Sequence, residues 1–166
     1  MKDKYLPWLP AILIMLVIFN FSSKPAKVSG ENSLWIADYV MTLYEKISDQ
    51  YVEEDLRTEQ LLILDHYIRK TAHVIEYAIL SAAICLPLWI RRLKGRRLWF
   101  LVVLATAAYA ASDEFHQRFV PGRSGELKDV LIDTFGAMLG ASFFLLTAKS
   151  FERLKRSRNK TEPTLE

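Results

Sequence analysis

One cysteine, Cys85, stands in a chain of 166 residues, so no internal disulfide forms and a disulfide scaffold is excluded. Glycine and proline are each present six times, without a repeat, which excludes a collagen-like or low-complexity chain. No HExxH, GxSxG or P-loop sequence occurs, so no resident metal or cofactor is expected from motifs. Charge is not scarce on average. Charged residues make up 25% and hydrophobic residues 51%, with a mean hydropathy of +0.10. Those averages exclude a disordered chain and match an ordinary soluble domain. What the chain lacks is charge in particular places. Residues 5–23, 77–90 and 98–112 contain no Asp, Glu, Lys, Arg or His, and 130–148 contain only Asp133.

A membrane span needs about 20 mostly apolar residues. The windows predict an all-α, multi-pass membrane four-helix bundle with spans at about 5–22, 71–90, 98–117 and 130–148. Lys2 and Lys4 ahead of the first window also fit a signal peptide, but no small-x-small cleavage site follows Asn20, so a retained helix is expected. Orientation follows from lysine and arginine. The link Arg91–Arg97 reads RRLKGRR, and the tail 149–166 is also rich in basic residues. Both are expected in the cytoplasm, as are both termini, and the acidic stretch between spans one and two is expected outside. The expected division is a membrane domain at 1–148 and a basic cytoplasmic tail at 149–166. The pI near 9 then reflects topology and anionic inner-leaflet lipid rather than nucleic acid.

The outer segment 31–68 reads as amphipathic helices. Leu34, Trp35, Ile36, Tyr39, Val40, Leu43, Tyr44 and Ile47 recur at helical spacing, with Ser33 as the expected N-cap. Leu56–Ile68 repeats the pattern more weakly. Both helices are expected to lie on the outer membrane surface or to cap the bundle.

Ionisable residues within spans are costly and mark functional sites by default. On the second span Lys70, His73, Glu76 and Tyr77 share a face at spacings of three and four. On the third, Tyr109, Asp113, His116 and Gln117 do the same, with Glu114 adjacent. On the fourth, Asp129 and Asp133 share a face that Gly136 and Gly140 continue, and small residues there permit close helix approach. Ala105, Ala108 and Ser112 are the expected partners of those glycines. All of these groups fall at the outer ends of their spans, and the Pro121-Gly122 turn aims Arg123 back over them. The constellation predicts an outward-open polar pocket that also has Arg118 and Lys128 nearby.

Three chemistries fit such a pocket. The first is structural, with carboxylates and cations pairing to hold the helices in register. The second is ligand binding: Lys70 and Arg123 hold an anionic head group or a carboxylate, and His73, Glu76, Asp113 and Asp129 orient it. The third is acid–base or metal chemistry, with His73, Glu76, Asp113 and Glu114 as candidate catalytic groups.

At these residues the sequence resembles the VanZ-like family of bacterial membrane proteins. RKTAHVIEYAIL and SDEFHQRFVPGRSGELKDVLIDTFGAMLGA carry three blocks of that family in order. Lys70, His73, Glu76 and Tyr77 match the first. Asp113, Glu114, Gln117, Phe119, Pro121 and Arg123 match the second, and Asp129, Asp133 and Gly136 the third. The resemblance implies a protein of the bacterial cytoplasmic membrane. The family's namesake accompanies glycopeptide-resistance genes and is associated with resistance to teicoplanin. The implied partners are membrane lipids and an envelope lipid, a peptidoglycan precursor or a lipoglycopeptide antibiotic.

Overall fold

The computed structural model describes residues 5–49 and 51–161. Lys2 and Lys4, and the last five residues of the tail, lie outside the described residues. Every regular element among the described residues is helical. A single 3-10 turn, Leu6–Trp8, leads into α1, Leu9–Ser22. Then follow α2, Ala26–Ser48, α3, Glu54–Ile90, α4, Gly95–Gln117, and α5, Leu127–Thr161.

Three helices, α3, α4 and α5, are long and apolar enough to cross a membrane. At 1.5 Å per residue, the 37 residues of α3 extend about 55 Å, well beyond a hydrocarbon core of about 30 Å. The α1 region meets the same criterion only when joined to α2, and the two are bent by 102° at the intervening break. The cause is local. Pro25 lacks an N–H and disfavours helix at Lys24, so the chain leaves α1 and restarts at Ala26.

The core lies where α1, α3 and α4 meet the small-residue face of α5. Tyr77, Leu80 and Cys85 of α3, Leu98, Val102 and Ala110 of α4, and Ala137 and Ala141 of α5 are buried there, with Ala11 and Ile18 of α1. The most extensive contact is between α3 and α5. Glycine is required at that contact. A Cβ on Gly136 would stand 2.4 Å from the Val74 carbonyl oxygen, and one on Gly140 would stand 1.9 Å from that of Ala78. The close-approach motif therefore packs on α3, not on Ala105, Ala108 and Ser112 of α4, which are exposed. Spacing shows that a helix can approach Gly136 and Gly140 but does not choose which neighbour does.

Two other expectations change. Leu56–Ile68 is not a separate surface helix but the N-terminal half of α3, continuous with the apolar stretch that follows. No glycine or proline interrupts residues 54–86, so nothing breaks it. Ser33 is not an N-cap. It lies two turns into α2 and its hydroxyl bonds back to the Ser29 and Gly30 carbonyls. The segment α2 packs along the first half of α3 through a narrow strip, Ser33, Ala37 and Met41, with Arg57 donating to Asp38 at 2.7 Å. Its aromatic side, including Trp35, Tyr39 and Tyr44, remains exposed. At the opposite end of the bundle Lys94 pairs with Glu152 and stacks on Trp89, tying the RRLKGRR link to the helical tail.

Candidate functional site

The predicted site residues gather at one end of the bundle, and they divide into two groups. The first group holds the end of α1. Asp113, 3% exposed, accepts from the Ser22 hydroxyl at 2.5 Å and from the Gln117 amide at 3.0 Å. The turn at Gly122, with φ +76°, sends Arg123 back over the bundle. Arg123 donates through Nε to the Lys24 carbonyl at 2.9 Å, through Nη2 to the Phe21 carbonyl at 3.0 Å, and through Nη1 to Gln117 at 3.3 Å. Carbonyls at a helix C-terminus lack intrahelical donors, and a cation there is favourable. Burial lowers the Arg123 pKa from its ordinary value while Asp113 and Glu114 act the other way; a guanidinium stays charged throughout. Ser23 meets His116 at 3.2 Å, Tyr109 donates to the Met15 carbonyl at 2.7 Å, and Ala26 donates to the Pro121 carbonyl at 3.2 Å. Every partner of this clamp is satisfied.

The second group lies between α3, α4 and α5. Lys70 of α3 pairs with Asp129 of α5. One turn further in, His73 Nδ1 lies 3.5 Å from Oδ1 of Asp133, which is fully buried. Neither atom makes a hydrogen bond. Eight buried side-chain polar atoms among the described residues lack such a partner, and five belong here: His73 Nδ1, Tyr77 Oη, Glu114 Oε1 and both Asp133 oxygens. The other Glu114 oxygen accepts from the Glu126 backbone amide at 3.0 Å. A buried polar group left unpaired costs about 1–3 kcal/mol. His73 Nδ1 and Asp133 Oδ1 face each other, which leaves Tyr77 Oη, Glu114 Oε1 and Asp133 Oδ2 without a partner, and that concentration marks the spot as a candidate site.

Above these groups lies a cavity of about 480 Å³. Its wall comes from the end of α1, the start of α2, the middle of α3, the end of α4, the loop before α5 and the first turn of α5. Lys24, Arg69, Lys70 and Arg123 line it, as do Glu76, Asp113, Glu126 and Asp129, together with His73. Formal charge is balanced, and one group of each sign, Lys24 and Glu76, makes no ion pair or side-chain hydrogen bond among the described residues. Asp113 is held by Ser22 and Gln117, Asp129 by Lys70 and Glu126 by Ser124. Glu76 has no hydrogen bond among the described residues. Lys24 is held only over the Phe21 ring, at 4.8 Å. Arg69, bonded to Asp65 at 2.7 Å, keeps 42% of its side chain exposed.

The structure thus re-pairs the candidates. His73 partners Asp133, not Glu76, and Asp113 belongs to the clamp. Arg123 faces the site, but its donors are occupied by backbone carbonyls and Gln117. Arg118 and Lys128 are exposed and are not part of the cavity wall. Lys24, Arg69 and Ser22 escaped sequence reasoning. The Ser-Ser-Lys-Pro run after a charge-free helix was the available signal, since proline there ends α1 and brings Lys24 to the cavity. No group of three or more His, Cys, Asp or Glu among the described residues is placed to hold a metal ion.

An all-helical protein with three membrane-length apolar helices and a charged cavity at one end belongs to the class of small integral membrane proteins. Residues 7–148 match the family model described as VanZ/LLP1, and the chain belongs to that family. No curated protein and no solved structure matches it.

Proposed function

We propose that this protein binds the anionic head of a cell-envelope amphiphile in the cavity at the end of the bundle, and thereby alters susceptibility to glycopeptide or lipoglycopeptide antibiotics of the teicoplanin type. The observation that carries the reading is the gathering of four cations on one cavity wall, of which Lys24 makes no ion pair and Arg69, though paired with Asp65 outside the wall, keeps 42% of its side chain exposed and has capacity for an anion. The ligand class is a membrane lipid, a lipid-linked peptidoglycan precursor or the antibiotic itself. In this reading α1 is a fourth span, the cavity faces outward, and the aromatic side of α2 rests at the membrane interface. Both termini and the RRLKGRR link face the cytoplasm, in accord with the positive-inside rule. Lys24 and Arg69 bind first, Lys70 exchanges part of its contact with Asp129, and Arg123 holds the cavity wall in place.

The test is expression in a glycopeptide-susceptible bacterium. Wild type should change the minimal inhibitory concentration of teicoplanin, and Lys24→Ala with Arg69→Ala should abolish that change at equal membrane abundance. Unchanged susceptibility with wild type, together with purified protein free of envelope lipid, would sink the proposal.

One observation favours a second reading, an enzyme acting on such an amphiphile. His73 lines the cavity while its Nδ1 faces a buried carboxylate, which is how an imidazole is oriented for general-base work. Turnover of a lipid-linked substrate that disappears in His73→Gln would establish it; retention without turnover would exclude it.

A further inference from the structure

The cavity is not the sole recess at this end of the molecule. On the other side of Lys70 a groove of about 470 Å³ runs between α3 and α5. Its origin is the close contact already described. Because Gly136 has no side chain, α3 and α5 meet backbone to backbone there, and flanking residues form the walls. Tyr67, Leu131 and Phe135 stand up on either side, each more than half exposed, with Val74 and Ile132 between them. Apart from Lys70 the lining is almost wholly apolar. Lys70 alone is shared by the groove and the charged cavity, and its ammonium sits at the boundary, paired with Asp129.

We infer that this groove seats a hydrocarbon chain of the amphiphile whose anionic head occupies the cavity, with Lys70 at the junction of head and chain. The inference rests on the head-group reading above and adds to it where the chain goes. Two features commit the groove to a lipid chain. It lies on helices that are themselves membrane-length and apolar, the setting in which an acyl chain is at hand. And it ends on a lysine, whose methylene stem suits the apolar side and whose head suits an anion.

The experiment uses the full chain in detergent micelles with a phosphatidic acid carrying a photoactivatable diazirine in one acyl chain. A phosphatidylcholine with the same chain serves as the control for ordinary lipid contact. After illumination, labelled peptides are mapped by mass spectrometry. The phosphatidic acid should label the peptides spanning 67–74 and 131–135 at least about fivefold more than the control, the factor expected for one basic residue near the membrane surface. Excess unlabelled phosphatidic acid should remove the signal, and Lys70→Gln should erase the preference. Leu131→Trp, on an exposed wall, should cut labelling several-fold without changing the amount of folded protein. Equal labelling by both lipids overturns the inference. Saturable retention of phosphatidic acid with label mapped elsewhere also overturns the groove but leaves the cavity as a head-group site. Absence of any saturable retention overturns both.

Discussion

Asp113 and Asp133 are both almost completely buried carboxylates, on neighbouring helices at the same end of the bundle, and the fold treats them in opposite ways. Asp113 receives two side-chain hydrogen bonds and closes a network reaching the end of α1. Asp133 receives none; its nearest cation-forming partner is His73 at 3.5 Å. The difference separates architecture from site. Charge-assisted hydrogen bonds of the kind made by Asp113 are worth about 1.5–3 kcal/mol each, so that residue accounts for its burial by holding α1 and the cavity wall. Asp133, Tyr77, Glu114 and His73 each leave a buried polar atom without a hydrogen bond, so hydrogen bonding accounts for their burial less fully than it does for that of Asp113.

The sharpest way to break this contrast is to remove Asp113. Asp113→Ala leaves Ser22 and Gln117 without their acceptor and should lower stability by about 3 kcal/mol, seen as a large fall in the melting temperature in detergent. Arg123→Gln strips three acceptors of their donor and should cost about 2 kcal/mol by the same assay. Ser23→Ala removes a partly exposed contact with His116 and an exposed hydrogen bond to the Phe19 carbonyl and should cost about 0.5–1 kcal/mol. Tyr77→Phe deletes a hydroxyl that has no partner, and its effect should stay within about 0.5 kcal/mol in either direction. Should Tyr77→Phe destabilise as strongly as Asp113→Ala, the division between the two groups would be lost.

Much of this was legible in the sequence. Charge-free windows located α4 and the apolar portions of α3 and α5, because a helix able to span must exclude charge over a fixed length. Spacings of three and four put Lys70, His73, Glu76 and Tyr77 on one face, and the Pro-Gly turn placed Arg123 over the others. What remained hidden was pairing between helices. Spacing along one helix says which residues share a face but not which helix that face meets. Hence Gly136 and Gly140 were matched with α4 rather than α3, and His73 with Glu76 rather than Asp133. The clamp was hidden for a second reason. Its acceptors at Phe21, Lys24 and Met15 are backbone carbonyls, which carry no side-chain signature. The N-terminal half of α3 read as a separate helix because its amphipathic pattern changes to an apolar one partway along, although the backbone runs on unbroken.

The most direct test is Asp133→Asn, a nearly isosteric change at a buried carboxylate that accepts no hydrogen bond and faces His73. Its melting temperature and its effect on teicoplanin susceptibility should be measured at matched membrane abundance. The expected result is a melting temperature equal to or above that of the wild type, with the susceptibility effect lost. A melting temperature lowered by as much as in Asp113→Ala, with the susceptibility effect retained, would contradict the assignment of Asp133 to the site.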